Sequence, residues 1–425
     1  MLKIPKPRRP EDWLLLLIGA TMRIDIYVIG RLALSEIISI VLVVLFLRRV
    51  RRAFRPRGAL IFFFLLGLWI FAVLLSDFYN QTQTDLMLRG LARPMIIGIL
   101  FVVLFVLLEE KPKAVIFFFF GLVLAALLNV VTPSDFRAVD LLDLESYSYY
   151  AFVYTPMLIA GAAALAWLVY PYGRLLPAAV LISFGLLSLV GFSRTTSSTL
   201  ILAGSLIMFG GFFRLTEYEY RYGESIAKTA MQFILTIVAI ICMMSIYINF
   251  AVDGFMGERI QAKVVGQISR PTDIPLLNMF LTGRHYNISN YLMILDNPFF
   301  GTGSWPLTGI YDYRAMELID SSIGDSFLDR MASIRGTGHS ILLGGWANYG
   351  PLSVPFWLYI FVKSFKLLKV SYTTERRLFV VLVVFLLGFM FSIVFNNLNS
   401  LNRLFAAMVP LLLIFMQPRA RSARS

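Results

Sequence analysis

Successive apolar stretches that are long enough to cross a bilayer restrict the fold of this chain more than any other feature. A membrane-spanning helix needs about 20 apolar residues, and only helices or closed barrels satisfy their backbone hydrogen bonds in lipid. Since 58% of the residues are hydrophobic and 15% are charged, the composition is that of an integral membrane protein and not of a soluble globular one. The stretches predict an all-α, polytopic fold of about 12 transmembrane helices, at 13–22, 32–47, 59–76, 87–108, 114–131, 150–170, 175–192, 197–213, 226–250, 338–362, 378–395 and 401–417.

The first two of these stretches are short for a membrane span. The sequence leaves open whether they are tilted, extended toward Arg23 and Asp25, or partly re-entrant.

Lysine and arginine are concentrated in alternate connecting segments. Clusters precede the first span and recur at 48–57, 111–113, 363–377 and in the C-terminal tail, whereas alternate segments such as 76–84 are poor in them. By the positive-inside rule, the clusters and both chain ends are cytoplasmic. The net charge of +13 is therefore interpreted as a topology signal and not as a nucleic-acid-binding surface.

The predicted spans divide the chain into three parts. Residues 1–250 form nine transmembrane spans, 251–337 form one large loop on the side opposite to the basic clusters, and 338–425 form three further spans and a cytoplasmic tail. Within the loop, 288–295 and 313–328 are predicted to be helices that lie on the bilayer surface. No soluble catalytic domain is predicted, so any chemistry must be carried out by the membrane helices and this loop.

Among the arginines that are predicted on the side disfavoured by the positive-inside rule, five lie near the ends of spans or within polar motifs and require an explanation. A guanidinium remains charged and makes paired hydrogen bonds to phosphate oxygens, and nearby hydroxyls add donors. The alternative for each arginine is an internal ion pair with Asp77, Asp85 or Asp140, or an extended side chain that reaches the interface. The arginines are Arg89, Arg93, Arg194, Arg284 and Arg403, and the hydroxyls beside Arg194 are those of Ser193 and Thr195.

The chain has two histidines: His285 lies in the large loop, and His339 lies just after it. His339 precedes Ser340 at the predicted mouth of a span, where an imidazole can accept a proton near neutral pH. His285 follows Arg284 and is predicted to orient it or to face water. We predict that His339 is a general base and that His285 and Ser340 support the site.

The sequence contains no clusters of Cys, His or Asp at the spacings of metal ligands. We therefore predict neither a metal nor another cofactor. Gly301-Thr302-Gly303 lacks the strand of a nucleotide-binding fingerprint and is interpreted as a turn that shapes the loop.

Several of these motifs together resemble the O-antigen ligase and polymerase superfamily of bacterial membrane glycosyltransferases. The likeness lies in 281–284, in 293–303, in His339-Ser340 with Gly350 downstream, and in Ser193-Arg194-Thr195. It covers roughly 192–352, and the predicted topology extends it, less specifically, over the whole chain. The implied fold is a GT-C-like bundle of membrane helices.

The resemblance implies a metal-independent transfer of a glycan from undecaprenyl diphosphate to an acceptor hydroxyl at the periplasmic face of the inner membrane. Arg194 and Arg284 would hold the diphosphate, and His339 would activate the acceptor. Members of the family usually have Asn where this chain has Ser340. That departure leaves two functions open: polymerisation of a surface or exported polysaccharide, which we favour, and ligation of the glycan to lipid A-core.

The implied partners are the lipid-linked donor, a glycan or lipid A-core acceptor, the bilayer and other proteins of polysaccharide assembly, without nucleic acid. A transporter or flippase of lipid-linked sugars is the alternative from another class. It would place charges near the middle of its spans and repeat its halves, and this sequence shows neither feature.

Overall fold

The computed structural model describes residues 6–27, 31–131, 155–190, 194–208, 245–255, 258–268, 274–275, 278, 285–319 and 340–416. Apart from one short antiparallel hairpin, β1 (Asp25–Tyr27) and β2 (Arg31–Ala33), the regular structure of these residues is helical. The helices are α1 Pro10–Ala20, α2 Leu34–Leu45, α3 Leu47–Ala53, α4 Arg57–Tyr79, α5 Thr84–Leu108, α6 Val115–Val131, α7 Thr155–Val169, α8 Leu175–Val190, α9 Arg194–Met208, α10 Glu258–Ile268, α11 His285–Asp296, α12 Gly309–Ile319, α13 Ile341–Tyr349, α14 Val354–Thr374, α15 Arg376–Phe395 and α16 Ser400–Met416.

The length and composition of the helices indicate a membrane protein. Within the described ranges, five helical segments are long and apolar enough to cross a bilayer: 57–79, 84–108, 155–172, 351–374 and 376–395. Shorter apolar helices occupy 34–45, 112–128, 175–188, 195–208 and 400–416. The all-helical membrane class is thus confirmed, while the count of 12 spans remains a prediction, since most of 226–250 lies outside the described residues.

The predicted span 338–362 is wrong as one continuous helix. The structure has α13, then a break, then α14. Gly350 adopts a φ of 77° at the break, and a Cβ there would collide with the carbonyl of Phe299, so the position favours glycine. Pro351 follows and starts a short 3-10 turn. The apolar composition continues through this break, which is why hydropathy alone did not reveal it.

The second predicted span also differs from a simple helix. The hairpin of β1 and β2 leads into α2, which ends at Leu45, and α3 then carries the arginines of 48–52. The region between the first two spans is therefore a compact turn and not an extension of either helix.

Glycines allow two helix pairs to pack with their backbones nearly in contact. In the α8–α9 hairpin, a Cβ on Gly185 would lie 2.6 Å from Ile201, and one on Gly204 would lie 2.8 Å from the carbonyl oxygen of Ala178. Between α1 and α6, Gly19 and Gly121 face each other's helix backbone in the same way. Small residues at such contacts drive helix association in lipid, where burial of apolar surface from water does not.

Ion pairs join the basic segments at one end of the bundle, which we call the basic end. Arg9 pairs with Glu110 at 3.1 Å, Arg52 pairs with Glu109 at 3.0 Å, and Lys113 pairs with Glu375. The start of α15 lies there too, because the Arg377 guanidinium stacks on the Trp167 ring near the end of α7 at 3.7 Å. Four of the segments that were predicted to share the cytoplasmic side, those that contain Arg9, Arg52, Lys113 and Glu375, therefore meet at one end of the helix bundle, whereas the C-terminal tail lies outside the described residues.

Candidate functional site

Helix α13 crosses the opposite end of the bundle, which we call the polar end. At its start, the Ser340 hydroxyl caps the helix by accepting a hydrogen bond from the Leu343 amide at 3.0 Å, and it also lies 3.4 Å from the carbonyl oxygen of Ile393 near the end of α15. At its finish, the carbonyl of Asn348 accepts a hydrogen bond from Ser76, near the end of α4, at 2.8 Å. The nine residues of α13 span about 13 Å at 1.5 Å per residue and so connect the ends of two transmembrane helices.

A glycine loop, residues 297–304, packs against the last turn of α13. Gly301 and Gly303 have φ values of 68° and 83°, and the amides of Thr302 and Gly303 donate to the carbonyls of Ala347 and Asn348, each at 2.9 Å. The interpretation of this motif as a turn is confirmed. These bonds also satisfy carbonyls at the end of α13 that would otherwise lack partners.

The end of α4 holds the other side of the glycine loop. The Asp77 carboxylate accepts two hydrogen bonds from Ser304, one from the amide at 2.6 Å and one from the hydroxyl at 2.7 Å, and the Asn80 amide donates to the carbonyl of Gly301 at 3.1 Å. Asp77 is buried. The sequence had suggested Asp77 as an ion-pair partner for an arginine, but its observed role is to fix the loop.

Arg403 forms a buried, forked ion pair. Its Nε and Nη2 atoms donate to the two carboxylate oxygens of Glu36, at 2.7 and 2.9 Å, and Glu36 also accepts from the amide of Ala33 at 2.9 Å. This geometry favours the internal-pair alternative for Arg403, with a partner that the sequence reasoning did not name. The missed signal was an acidic residue within an apolar stretch, which normally requires a partner.

Arg89 and Arg93 lie one turn apart on α5 in different surroundings. Arg89 is 3.8 Å from Asp85 with both side chains exposed, a contact of the kind that contributes little. The Arg93 guanidinium lies 4.7 Å from the ring centre of Trp305 and interacts with the Tyr349 hydroxyl and with Arg403. Only Arg93 of the pair is directed toward the glycine loop and α13.

Arg194 is the first residue of α9, and the backbone places it at the polar end. The methyl group of Thr199 lies 3.9 Å from where a Cβ on Gly388 of α15 would be. Gly204, near the end of α9, packs against Ala178 at the start of α8. The start of α8 follows the end of α7, where Trp167 contacts Arg377 at the basic end. The end of α9 therefore lies near the start of α15, and the two helices are antiparallel. Arg194, five residues before Thr199, is therefore level with Ile393, five residues after Gly388. Thr195 accepts a hydrogen bond from Thr199 through its carbonyl, at 2.8 Å.

Four of the predicted site residues lie wholly or partly outside the described residues. They are Ser193, Arg284, His339 and the side chain of Arg194. The neighbours of two of them are described: Ser340 follows His339, and His285 follows Arg284.

His285 begins α11 and lies beside a buried carboxylate of α12. Its ring is 3.9 Å from that of Tyr286, and it interacts electrostatically with Asp312, which also accepts hydrogen bonds from Ser289 and Thr308. Burial raises the pKa of Asp312, and the hydrogen bonds and His285 oppose that shift. The predicted helix 288–295 is confirmed within α11, and the first part of 313–328 is confirmed within α12.

The pairing of α11 with α12 should be tighter in acid. Folding raises the pKa of Asp312. The stability that this shift contributes is therefore fully present below pH ~3.9, the ordinary pKa of an aspartate, and is lost as the pH rises through the raised pKa of the folded state. Amide-exchange protection of 309–319, corrected for intrinsic rates, should be roughly severalfold greater at pH 3.5 than at pH 7. Asp312→Asn should remove this difference, and an unchanged difference in that variant would assign it to another group.

The described residues contain no group of three His, Cys, Asp or Glu side chains that could hold a metal ion. An open groove of about 590 Å³ lies at the polar ends of α4 and α5. Its walls are mainly apolar, with Phe71, Leu74 and Phe78, and Asp77 and Thr82 form its polar edge. The groove is thus apolar over most of its wall and polar at the edge that lies beside the glycine loop.

Comparison with known proteins gives no match to a family model and none to a curated protein. The likeness to the O-antigen ligase and polymerase superfamily therefore depends on the residues quoted above. The functional argument must in turn depend on how the polar end is built.

Proposed function

We propose that this protein is a membrane glycosyltransferase that moves a glycan from a polyprenyl diphosphate carrier, such as undecaprenyl diphosphate, to an acceptor hydroxyl. The reaction takes place at the polar end, which faces the periplasm, in an inner-membrane protein with both termini in the cytoplasm. The acceptor is a second lipid-linked glycan in polymerisation of a surface polysaccharide, or lipid A-core in the alternative of an O-antigen ligase.

The observation that supports this proposal most is the course of α13 across the polar end. Ser340 is bonded near the end of α15, and the start of α9 lies level with the same point through its contact with Gly388. Ser340 and the backbone of Arg194 therefore lie at the same end of α15, and His339 is the residue that precedes Ser340 in the sequence. A base and a phosphate-binding cation are what the proposed transfer requires there.

The chemistry assigns one role to each type of group. His339 accepts the proton of the acceptor hydroxyl while that oxygen attacks the anomeric carbon of the donor sugar. The bond from this carbon to the diphosphate breaks, and the diphosphate leaves with an additional negative charge. Arg194 and Arg284 stabilise that charge, a task that guanidinium groups perform through paired hydrogen bonds. In this mechanism the arginines balance the charge without a divalent ion.

The lipid chain would approach from the side of the bundle. The apolar groove at α4 and α5 is open to lipid and ends at the polar residues Asp77 and Thr82. Its exposed wall includes Phe78, which is 84% exposed, and Leu74. Exposed apolar side chains of this size at the end of a transmembrane helix suit contact with lipid chains, so a polyprenyl chain can lie there while its head reaches the polar end.

Reconstitution tests the proposal directly. Purified protein supplied with undecaprenyl-diphosphate-linked oligosaccharide should lengthen the glycan without any core acceptor, and it should do so in the presence of EDTA. Glycan that appears only when lipid A-core is added would identify the ligase alternative. The glycosyltransferase proposal fails if both acceptors stay unmodified, and the role given to the arginines fails if chelation stops the reaction and magnesium restores it.

A further inference from the structure

Arg93 has no acidic partner among the residues that the structure describes, although it faces the interior of the polar end. Its neighbours are the ring of Trp305 at 4.7 Å, the Tyr349 hydroxyl and a second cation, Arg403. Arg403 is already neutralised by Glu36. A cation that stacks on an indole, and whose charged neighbour is another cation, leaves its hydrogen-bond donors available for an anion.

Trp305 lies beside Arg93 in a backbone conformation that bulky side chains rarely adopt. Its φ is 57°, in the left-handed region, which is strained for residues other than glycine. The preceding residue is fixed by Asp77 through two hydrogen bonds. The anchored glycine loop therefore determines where the indole of Trp305 lies. Backbone strain like that at Trp305 is common at binding sites.

One more polar atom at this place lacks a partner among the described residues, the indole Nε1 of Trp305. The hydroxyl of Tyr349, in a residue that is 4% exposed, interacts with the Arg93 guanidinium and can also donate. Buried polar atoms are nearly always hydrogen-bonded. The guanidinium, the indole N–H and the hydroxyl are thus donors without an acidic acceptor among the described residues.

We propose that Arg93, Trp305 and Tyr349 form a second anion-binding site that takes the phosphate group of a lipid headgroup. The donors come from three elements that the glycine loop brings together: α5, the loop itself and the last residue of α13. The phosphate belongs either to a polyprenyl diphosphate substrate or to an anionic phospholipid of the bilayer.

The site is separate from the one in the proposed function. Tyr349 ends α13 and Ser340 precedes its start, so nine helical residues, or about 13 Å, lie between them. One diphosphate does not span this distance while hydrogen-bonded at both ends. If the proposed function is correct, one end of α13 can hold the headgroup of the donor while the other end holds that of the acceptor. Only this assignment of donor and acceptor depends on the proposed function.

Ligand binding by detergent-purified full-length protein tests the site. The probe is radiolabelled farnesyl diphosphate, counted against empty micelles, with farnesol as the phosphate-free control. Wild type should bind two equivalents of the diphosphate. Arg93→Gln should weaken one of them about 10- to 100-fold, as expected when charge-assisted hydrogen bonds are lost, and Tyr349→Phe should weaken the same one less. Arg89→Gln is the matched control, because Arg89 lies one turn away on α5 and pairs with Asp85, and it should keep both equivalents.

A second arm identifies the source of the phosphate. Native mass spectrometry counts phosphatidylglycerol retained from nanodiscs that contain equal amounts of phosphatidylglycerol and phosphatidylcholine. Loss of retained phosphatidylglycerol in Arg93→Gln, with farnesyl diphosphate binding unchanged, supports the site and assigns it to phospholipid. If Arg93→Gln equals Arg89→Gln in both arms, the site is refuted.

The arms also separate this inference from the proposed function. Arg194→Ala should remove the other farnesyl diphosphate equivalent and leave the Arg93-dependent one intact. If Arg194→Ala abolishes all binding while Arg93→Gln loses none in either arm, the second site is wrong and the first stands. The reverse result supports the Arg93 site and removes the diphosphate role of Arg194.

Discussion

Replacement of His339 by alanine should lower the single-turnover rate of glycan transfer by ~10²-fold or more, which is the typical loss for a general base. Donor affinity should remain nearly unchanged, because the arginines hold the diphosphate. Ser340, and not His339, caps α13, so the variant should fold normally. The measurement is donor binding and single-turnover rate, determined separately on protein of equal monodispersity.

The pH dependence of the rate provides the control for this assignment. An ordinary histidine titrates near pH 6.5, so the wild-type rate should fall below that pH and the residual rate of His339→Ala should not. A variant that binds donor poorly but turns over normally at saturation would make His339 a binding residue. The base would then be sought at Asp253, Glu258 or Asp325.

Glu36→Ala should destabilise the protein by about 3–5 kcal/mol, the usual cost of leaving one member of a buried ion pair without its partner. Glu36 is fully buried and Arg403 is 7% exposed, so neither charge can be rehydrated without opening the contact between α2 and α16. Unfolding of the purified protein in mixed micelles by denaturing detergent, followed by circular dichroism, measures the difference.

The double variant Glu36→Leu, Arg403→Met separates a charge effect from a packing effect. It should recover most of the stability, because apolar side chains of similar volume replace a buried pair at little cost. Asp85→Asn, which removes the exposed partner of Arg89, should change stability by less than about 1 kcal/mol. Equal losses in Glu36→Ala and Asp85→Asn would show that the Glu36–Arg403 pair is not structurally important.

Hydropathy located the apolar helices that the structure describes, because a span in lipid must be apolar over most of its length. It could not locate the break at Gly350, since the residues on both sides are apolar and the break arises from contact with Phe299, about fifty residues earlier in the chain. The clusters of lysine and arginine identified the described segments that meet at the basic end, because the positive-inside rule depends on the charge of each short connecting segment by itself.

The organisation of the polar end required the three-dimensional structure. Asp77 and Ser304, like Glu36 and Arg403, are far apart in sequence, and no local pattern indicates which distant residue neutralises or fixes them. The sequence identified Arg93 by its predicted place on the side of the membrane that the positive-inside rule disfavours for arginine. The partners of Arg93, in contrast, depend on the anchored glycine loop. A search for acidic residues within apolar stretches would have added Glu36 to Asp77, which the sequence analysis had already named, although it would not have revealed their roles.

The chain is anchored at Ser304 by Asp77 and at Ser340 by its bonds to Leu343 and Ile393. The entropic cost of joining two fixed points grows only with the logarithm of the length of the connecting chain, by about 0.6 kcal/mol for each doubling. Insertions between Ile319, the end of α12, and His339 should therefore cost the membrane helices little stability. Trp305 and α12 belong to contacts of the polar end, so insertions before Ile319 should be tolerated less well.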